Sequence, residues 1–188
     1  MTIRIIAAAT ATATALLPML GPAVGRAADP PPARVVQITA DTAGREVNRY
    51  YSPQAHGPTR KFHVFPEQRV VVVVNVNPAS ADAIDTTVVV HLFAAGTDAD
   101  ALEKWVNNQH SDALFADAPQ PQRSITVARE RLHTKVAGPL EREVGDGGDE
   151  YDRYRVDFTI DGFTDGDLTV KPSQGSAAAF VRTKDLTR

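Results

Sequence analysis

Four carboxylates crowd into seven residues in the last third of the chain: Asp146, Asp149, Glu150 and Asp152, in the segment Asp146-Gly147-Gly148-Asp149-Glu150-Tyr151-Asp152. Hard oxygen ligands on glycine-rich backbone suit Ca²⁺, which takes roughly 6–8 oxygens without strict geometry. Gathered without a cation, such charges repel, so a bound ion would order the loop. These four are therefore the candidate calcium ligands, and no other cofactor is indicated. An acidic glycine-rich loop serves equally as a solvated hairpin connection. A second acidic run, Asp161–Asp167, resembles an EF-hand only briefly: Phe163 stands at the third ligand position and Pro172 at the twelfth.

Histidine supplies the other candidate chemistry. There are five, His56, His63, His91, His110 and His133. His63 and His91 fall on expected strands, where their imidazoles could meet across a sheet and hold Zn²⁺ or Cu²⁺. No His-x-His or His-x-x-x-His spacing supports that. His110-Ser111-Asp112 contains the residue types of a hydrolase triad, but consecutive residues cannot face one another as nucleophile, base and orienter. Ser111 also lacks the Gly-x-Ser-x-Gly elbow. A helix end explains the run better, with His110 favouring the dipole and Ser111 recapping the chain. No catalytic residue is assigned.

Composition narrows the classes. Residues 1–27 read as a cleavable signal peptide: Arg4 gives the positive start, Ile5–Leu17 is uncharged, and Gly25-Arg26-Ala27 places small residues at −3 and −1. The uncharged stretch of 13 residues would span roughly 20 Å as a helix, short of a hydrocarbon core of about 30 Å. Cleavage after Ala27 leaves 161 residues, enough for one domain, with 18 basic and 23 acidic side chains and a net charge of −5. An acidic chain lacks the basic footprint of nucleic-acid binding and the polybasic patch that holds a protein on an anionic membrane. The chain has no cysteine, and its two methionines, Met1 and Met19, leave with the signal. Thiol catalysis, lipid tethering through cysteine and soft-metal carriage go with them.

The elements that must position any site are mostly strands. Residues 28–33 form a proline-rich extended arm, and 34–188 a single domain. Arg34–Thr39 is a first strand, 41–61 loop with a short piece around Val47–Tyr51, and Phe62–Phe65 another extended segment. Val70–Val76 is a valine run suited to a strand buried on both faces. Thr86–Phe93 is its expected partner through a turn at Asn77-Pro78-Ala79-Ser80. A helix starts at Thr97, capped with Asp100, and runs to about Gln109, with Ala101, Leu102, Trp105 and Val106 on one face. Ser124–Leu132 is read as a strand and Glu143–Glu150 as a loop. Tyr154, Val156, Phe158 and Ile160 alternate with polar residues in a half-buried strand. Asp165-Gly166 signals a hairpin into Asp167–Lys171, and Ala177–Thr183 closes the chain. The pattern indicates a mostly β fold, a single β-sandwich-like domain with one inserted α-helix; a small α+β domain is the alternative.

The expected function is non-enzymatic: an exported protein, periplasmic or extracellular, that binds a protein or small ligand through loops or a sheet edge. Two alternatives stand beside it. One is a small hydrolase or metal-dependent enzyme built from scattered His and Asp. The other is a periplasmic assembly factor or chaperone that donates or accepts a strand.

Overall fold

The valine run organises the molecule. The computed structural model describes residues 33–39, 45–49, 59–80, 83–109, 115–145 and 147–183, the first and last of which bound one compact unit assigned to Pro32–Arg188. In chain order the elements are β1 Arg34–Val36, β2 Arg45–Arg49, β3 Thr59–Phe65, β4 Val70–Ser80, β5 Ala83–Leu92, α1 Ala99–Asn108 and β6 Arg123–Thr126. A short 3₁₀ turn, Arg129–Arg131, follows. The last third adds β7 Leu132–Val144, β8 Glu150–Ile160, β9 Phe163–Asp165, β10 Leu168–Val170 and β11 Ser173–Arg182. Strands pair into a five-stranded sheet, β2-β3-β4-β5-β6, and two three-stranded sheets, β11-β8-β7 and β1-β10-β9.

Val70, Val72, Val74 and Val76 of β4 turn one way, with Val88, Val90 and Leu92 of β5. They meet Tyr154, Val156, Phe158 and Ile160 of β8 and Ala177, Ala179 and Val181 of β11. Two sheets packed over one apolar layer make a sandwich. Val71 and Val73 turn the other way and join Phe62, Val64 and Phe93 beneath Leu102, Trp105 and Val106 of α1. The continuous valine run follows from this: β4 lies between a facing sheet and a helix, so neither of its faces can be polar. The fold is mostly β with one helix. No helix among the described residues is long and apolar enough to cross a membrane.

Several expected boundaries move. The helix cap is Asp98, whose Oδ1 accepts from the Ala101 N–H at 2.8 Å, and not Thr97. Thr97 is drawn into the preceding turn, where its N–H donates to Ala94 O at 3.2 Å, leaving Asp98 as the extended residue from which a side chain can cap. The expected turn at Asn77–Ser80 is strand: Asn77 pairs with Asp85 and Pro78 with Ile84, and a register irregularity beside Pro78 absorbs the missing donor. The expected strand Ser124–Leu132 breaks at the turn Arg129–Arg131, because the Arg131 N–H donates back to Ala128 O. The expected loop Glu143–Glu150 shortens to 145–149, since the ladder persists to Val144 opposite Glu150.

The largest departure is β7. Its thirteen residues pair with β8 along most of their length, interrupted between Ala137 and Glu141. Three residues there oppose the single Tyr154, so the bulge holds two extra residues and leaves the in–out alternation intact on either side. Gly138 is required at this point. Its φ is +144°, and a Cβ would lie 2.9 Å from the Tyr154 ring.

Candidate functional site

The acidic segment is drawn apart. Glu150 and Asp152 project from one face of β8 on to Arg142 of β7, which donates from Nε to Asp152 Oδ1 at 3.0 Å and from Nη1 to Glu150 Oε2 at 3.3 Å. Asp152 is buried, and its carboxylate raises the Arg142 pKa by hydrogen bond and charge. Asp149 is ion-paired to Arg182 of β11. Asp146 lies outside the described residues. Among the described residues no three His, Asp or Glu side chains gather where a metal could be held. Arg142 and Arg182 thus pair with the three described members of the set. The second acidic run is likewise divided: Asp165 pairs with Arg123, Asp167 with Arg34 and Asp161 with His133.

Strand register separates the two strand histidines. His63 on β3 lies opposite Val72, while His91 on β5 lies opposite Val71. Neighbours on a strand face opposite ways, so the rings are on opposite faces of the five-stranded sheet. Accordingly His63 stands edge-on to Phe158 of the facing sheet, with centroids 6.3 Å apart, and His91 tilts against Trp105 of the helix at 4.8 Å. They cannot share a metal, which corrects that expectation. His56 and His110-Ser111-Asp112 lie outside the described residues.

An open cleft of about 460 Å³ lies between β3 and β11, and Lys61, His63, Asp157, Gln174 and Ser176 contribute to its wall. It holds the nearest thing to an assembled polar site, but its groups are committed. Lys61 Nζ donates to Ser176 O at 2.7 Å, and Asp157 is bound by Arg155 at 3.0 Å. Gly175 floors the cleft against Phe158; a Cβ there would meet the ring at 2.7 Å.

The exposed edge of the β11-β8-β7 sheet is the more distinctive surface. β7 is its last strand, paired only to β8 among the described residues. Nearly every side chain of β7 is exposed, including Val136 at 40 %, Leu140 at 58 % and Val144 at 68 %. Leu132, Thr134 and Val136 stand opposite the core residues Ile160, Phe158 and Val156 and so share their inward face. Among the described residues the facing sheet meets β7 chiefly through β5, with Leu132 packed against the core and Val136 left 40 % exposed. Lys135 is exposed and forms no ion pair among the described residues. Glu141 and Glu143 are held by Arg153. The sequence carried a faint sign of this edge: Leu132, Thr134 and Val136 alternate with His133 and Lys135 before Gly138-Pro139 breaks the period.

Comparison with known proteins finds no match, whether to a family model, a curated protein or a solved structure. The surface itself must carry the functional reading.

Proposed function

We propose that this chain is exported, sheds residues 1–27, and acts without catalysis by accepting an extended segment of a partner protein along β7. The observation that carries the reading is a thirteen-residue edge strand, paired on one side only among the described residues, whose valine and leucine side chains are exposed. Unpaired N–H and C=O groups on such an edge template another strand. Main-chain hydrogen bonds would supply affinity, and alternate side chains specificity. The matching segment is apolar on the face that meets Val136, Leu140 and Val144 and carries a carboxylate opposite Lys135. Each cross-strand pair contributes about 0.2–1 kcal/mol.

One observation favours a particular occupant as a second reading. About Gly138, β7 complements its own reverse: Lys135 mirrors Glu141, His133 mirrors Glu143, Val136 mirrors Leu140 and Leu132 mirrors Val144. Two copies paired antiparallel through β7 would match apolar with apolar and Lys135 with Glu141, as a two-fold axis requires.

Selection of displayed random decapeptides against chain 28–188 tests the reading, with Lys135→Glu as a charge-reversed competitor. Binders should alternate apolar residues, carry Asp or Glu, prefer the original chain, and protect β7 amides. Binders that protect only the loops 66–69 or 145–149 overturn the edge reading. A dimer that dissociates on dilution and is lost in Lys135→Glu makes the partner a second copy.

A further inference from the structure

We propose that a second, separate site lies beneath Trp105 and takes a small carboxylate anion. Arg60 of β3 stands opposite Asn75 of β4, one rung beyond the buried pair Phe62 and Val73 on the helix side of the five-stranded sheet. Here the apolar layer under α1 gives way to a cavity of about 170 Å³. Phe62 and Trp105 give it apolar walls, and Arg60, Asn75, His91 and Gln109 its polar ones. At about 30 Å³ per water, it has room for roughly five or six waters or one short organic acid.

The guanidinium is the unusual member. Its Nη1 donates to Gln109 O, the C-cap of α1, at 3.2 Å, while its Nε is buried and makes no hydrogen bond. No carboxylate pairs with Arg60 among the described residues. Six other arginines, at 34, 123, 142, 153, 155 and 182, each hold an Asp or Glu within 3.3 Å; Arg69 and Arg131 hold none among the described residues, but neither lines this cavity. Arg60 is thus a cation with no carboxylate partner among the described residues, and no described residue lining the cavity is acidic.

Arg60 as a whole is half-buried, but its Nε is a buried donor without a partner, and such a donor is costly. A planar guanidinium is best matched by a carboxylate, which accepts two parallel N–H bonds. The other polar groups suit the same ligand. Asn75 can donate from its amide. His91 has its Nδ1 on Ser124 Oγ at 2.8 Å, which leaves Nε2 for a ligand. One cation balances one charge, and aromatic walls suit a short alkyl chain. A monocarboxylate therefore fits better than a phosphate.

The test is titration of chain 28–188 with sodium propionate at constant ionic strength, with chloride and inorganic phosphate as controls. Trp105, the single tryptophan, reports from the cavity wall. The expected result is a saturable change in its emission with a millimolar Kd, weaker by at least about tenfold in Arg60→Gln. Arg60→Gln could also disturb the helix end it caps, so Asn75→Asp provides the second arm. It places a carboxylate opposite Arg60, and should keep or raise the melting temperature while abolishing the response. The His91 ring should titrate at higher pH with propionate bound than without it. No saturable change up to about 100 mM propionate, or an equal response in Asn75→Asp, overturns the proposal.

Discussion

Cutting Trp105 back to alanine removes the keystone of the helix layer. The ring is only 4 % exposed. It stands T-shaped against Phe93 at 5.2 Å and Phe62 at 6.4 Å, and tilted on His91 at 4.8 Å. Truncating a buried aromatic costs about 3–5 kcal/mol in lost transfer energy and cavity. One wall of this site already opens on a solvent-accessible pocket of about 170 Å³ from which water can enter, so the lower part of that range applies, about 3–4 kcal/mol. Against a total stability of about 5–15 kcal/mol the variant stays folded, with a melting temperature roughly 6–16 °C lower. Urea unfolding followed by far-ultraviolet circular dichroism measures it, because the variant has no tryptophan left to report. The urea m-value should be unchanged, and Trp105→Phe should recover about half the loss. His91 gains water in Trp105→Ala, so its pKa should move back up. A cost below about 1 kcal/mol, or native emission like that of free indole, would refute a buried Trp105.

Three further outcomes follow from the packing and charge. Gly175→Ala drives a Cβ into the Phe158 ring and should destabilise by about 1–3 kcal/mol, with Phe158→Leu relieving part of the added cost in a double-mutant cycle. Burial lowers the His91 pKa, so the folded state resists a proton that the unfolded chain accepts as pH falls through about 6.5. Stability should therefore fall below that pH, and His91→Gln should flatten part of that limb in urea midpoints taken from pH 7 to 5. Asp149, Glu150 and Asp152 are ion-paired with Arg182 and Arg142, so millimolar CaCl₂ should give neither calorimetric heat nor a higher melting temperature. A saturable response would mean that the loop leaves those arginines to gather around the ion.

Periodic features were legible in the sequence, and pairings were not. The valine run announced a strand buried on both faces, and Tyr154–Ile160 announced its inward face, because burial imposes a period on single segments. Leu102, Trp105 and Val106 placed the helix for the same reason. The β7 strand was hidden because Gly138-Pro139 is a loop signal, and a bulge lets a strand carry it. The charge partners of the acidic segment were not legible because they are remote or across a strand: Arg182 lies 33 residues from Asp149. His63 and His91 both sat on strands, but only the register with Val72 and Val71 revealed that they face opposite ways. Arg60 was invisible as a site, since nothing in its neighbourhood in sequence shows that it faces a cavity.

Hydrogen exchange measured by mass spectrometry on chain 28–188 tests the open edge most directly. β8 is paired on both sides, to β7 and to β11, whereas among the described residues β7 is paired to β8 alone. Amides across Glu150–Ile160 should exchange slowly, and about half of those in Leu132–Val144 should exchange far faster, because alternate N–H groups point away from the ladder. A peptide selected for binding should slow that fast half and leave β8 unchanged. Uniform protection of Leu132–Val144 in the free monomer, equal to that of β8, would contradict the open edge and with it the proposed function.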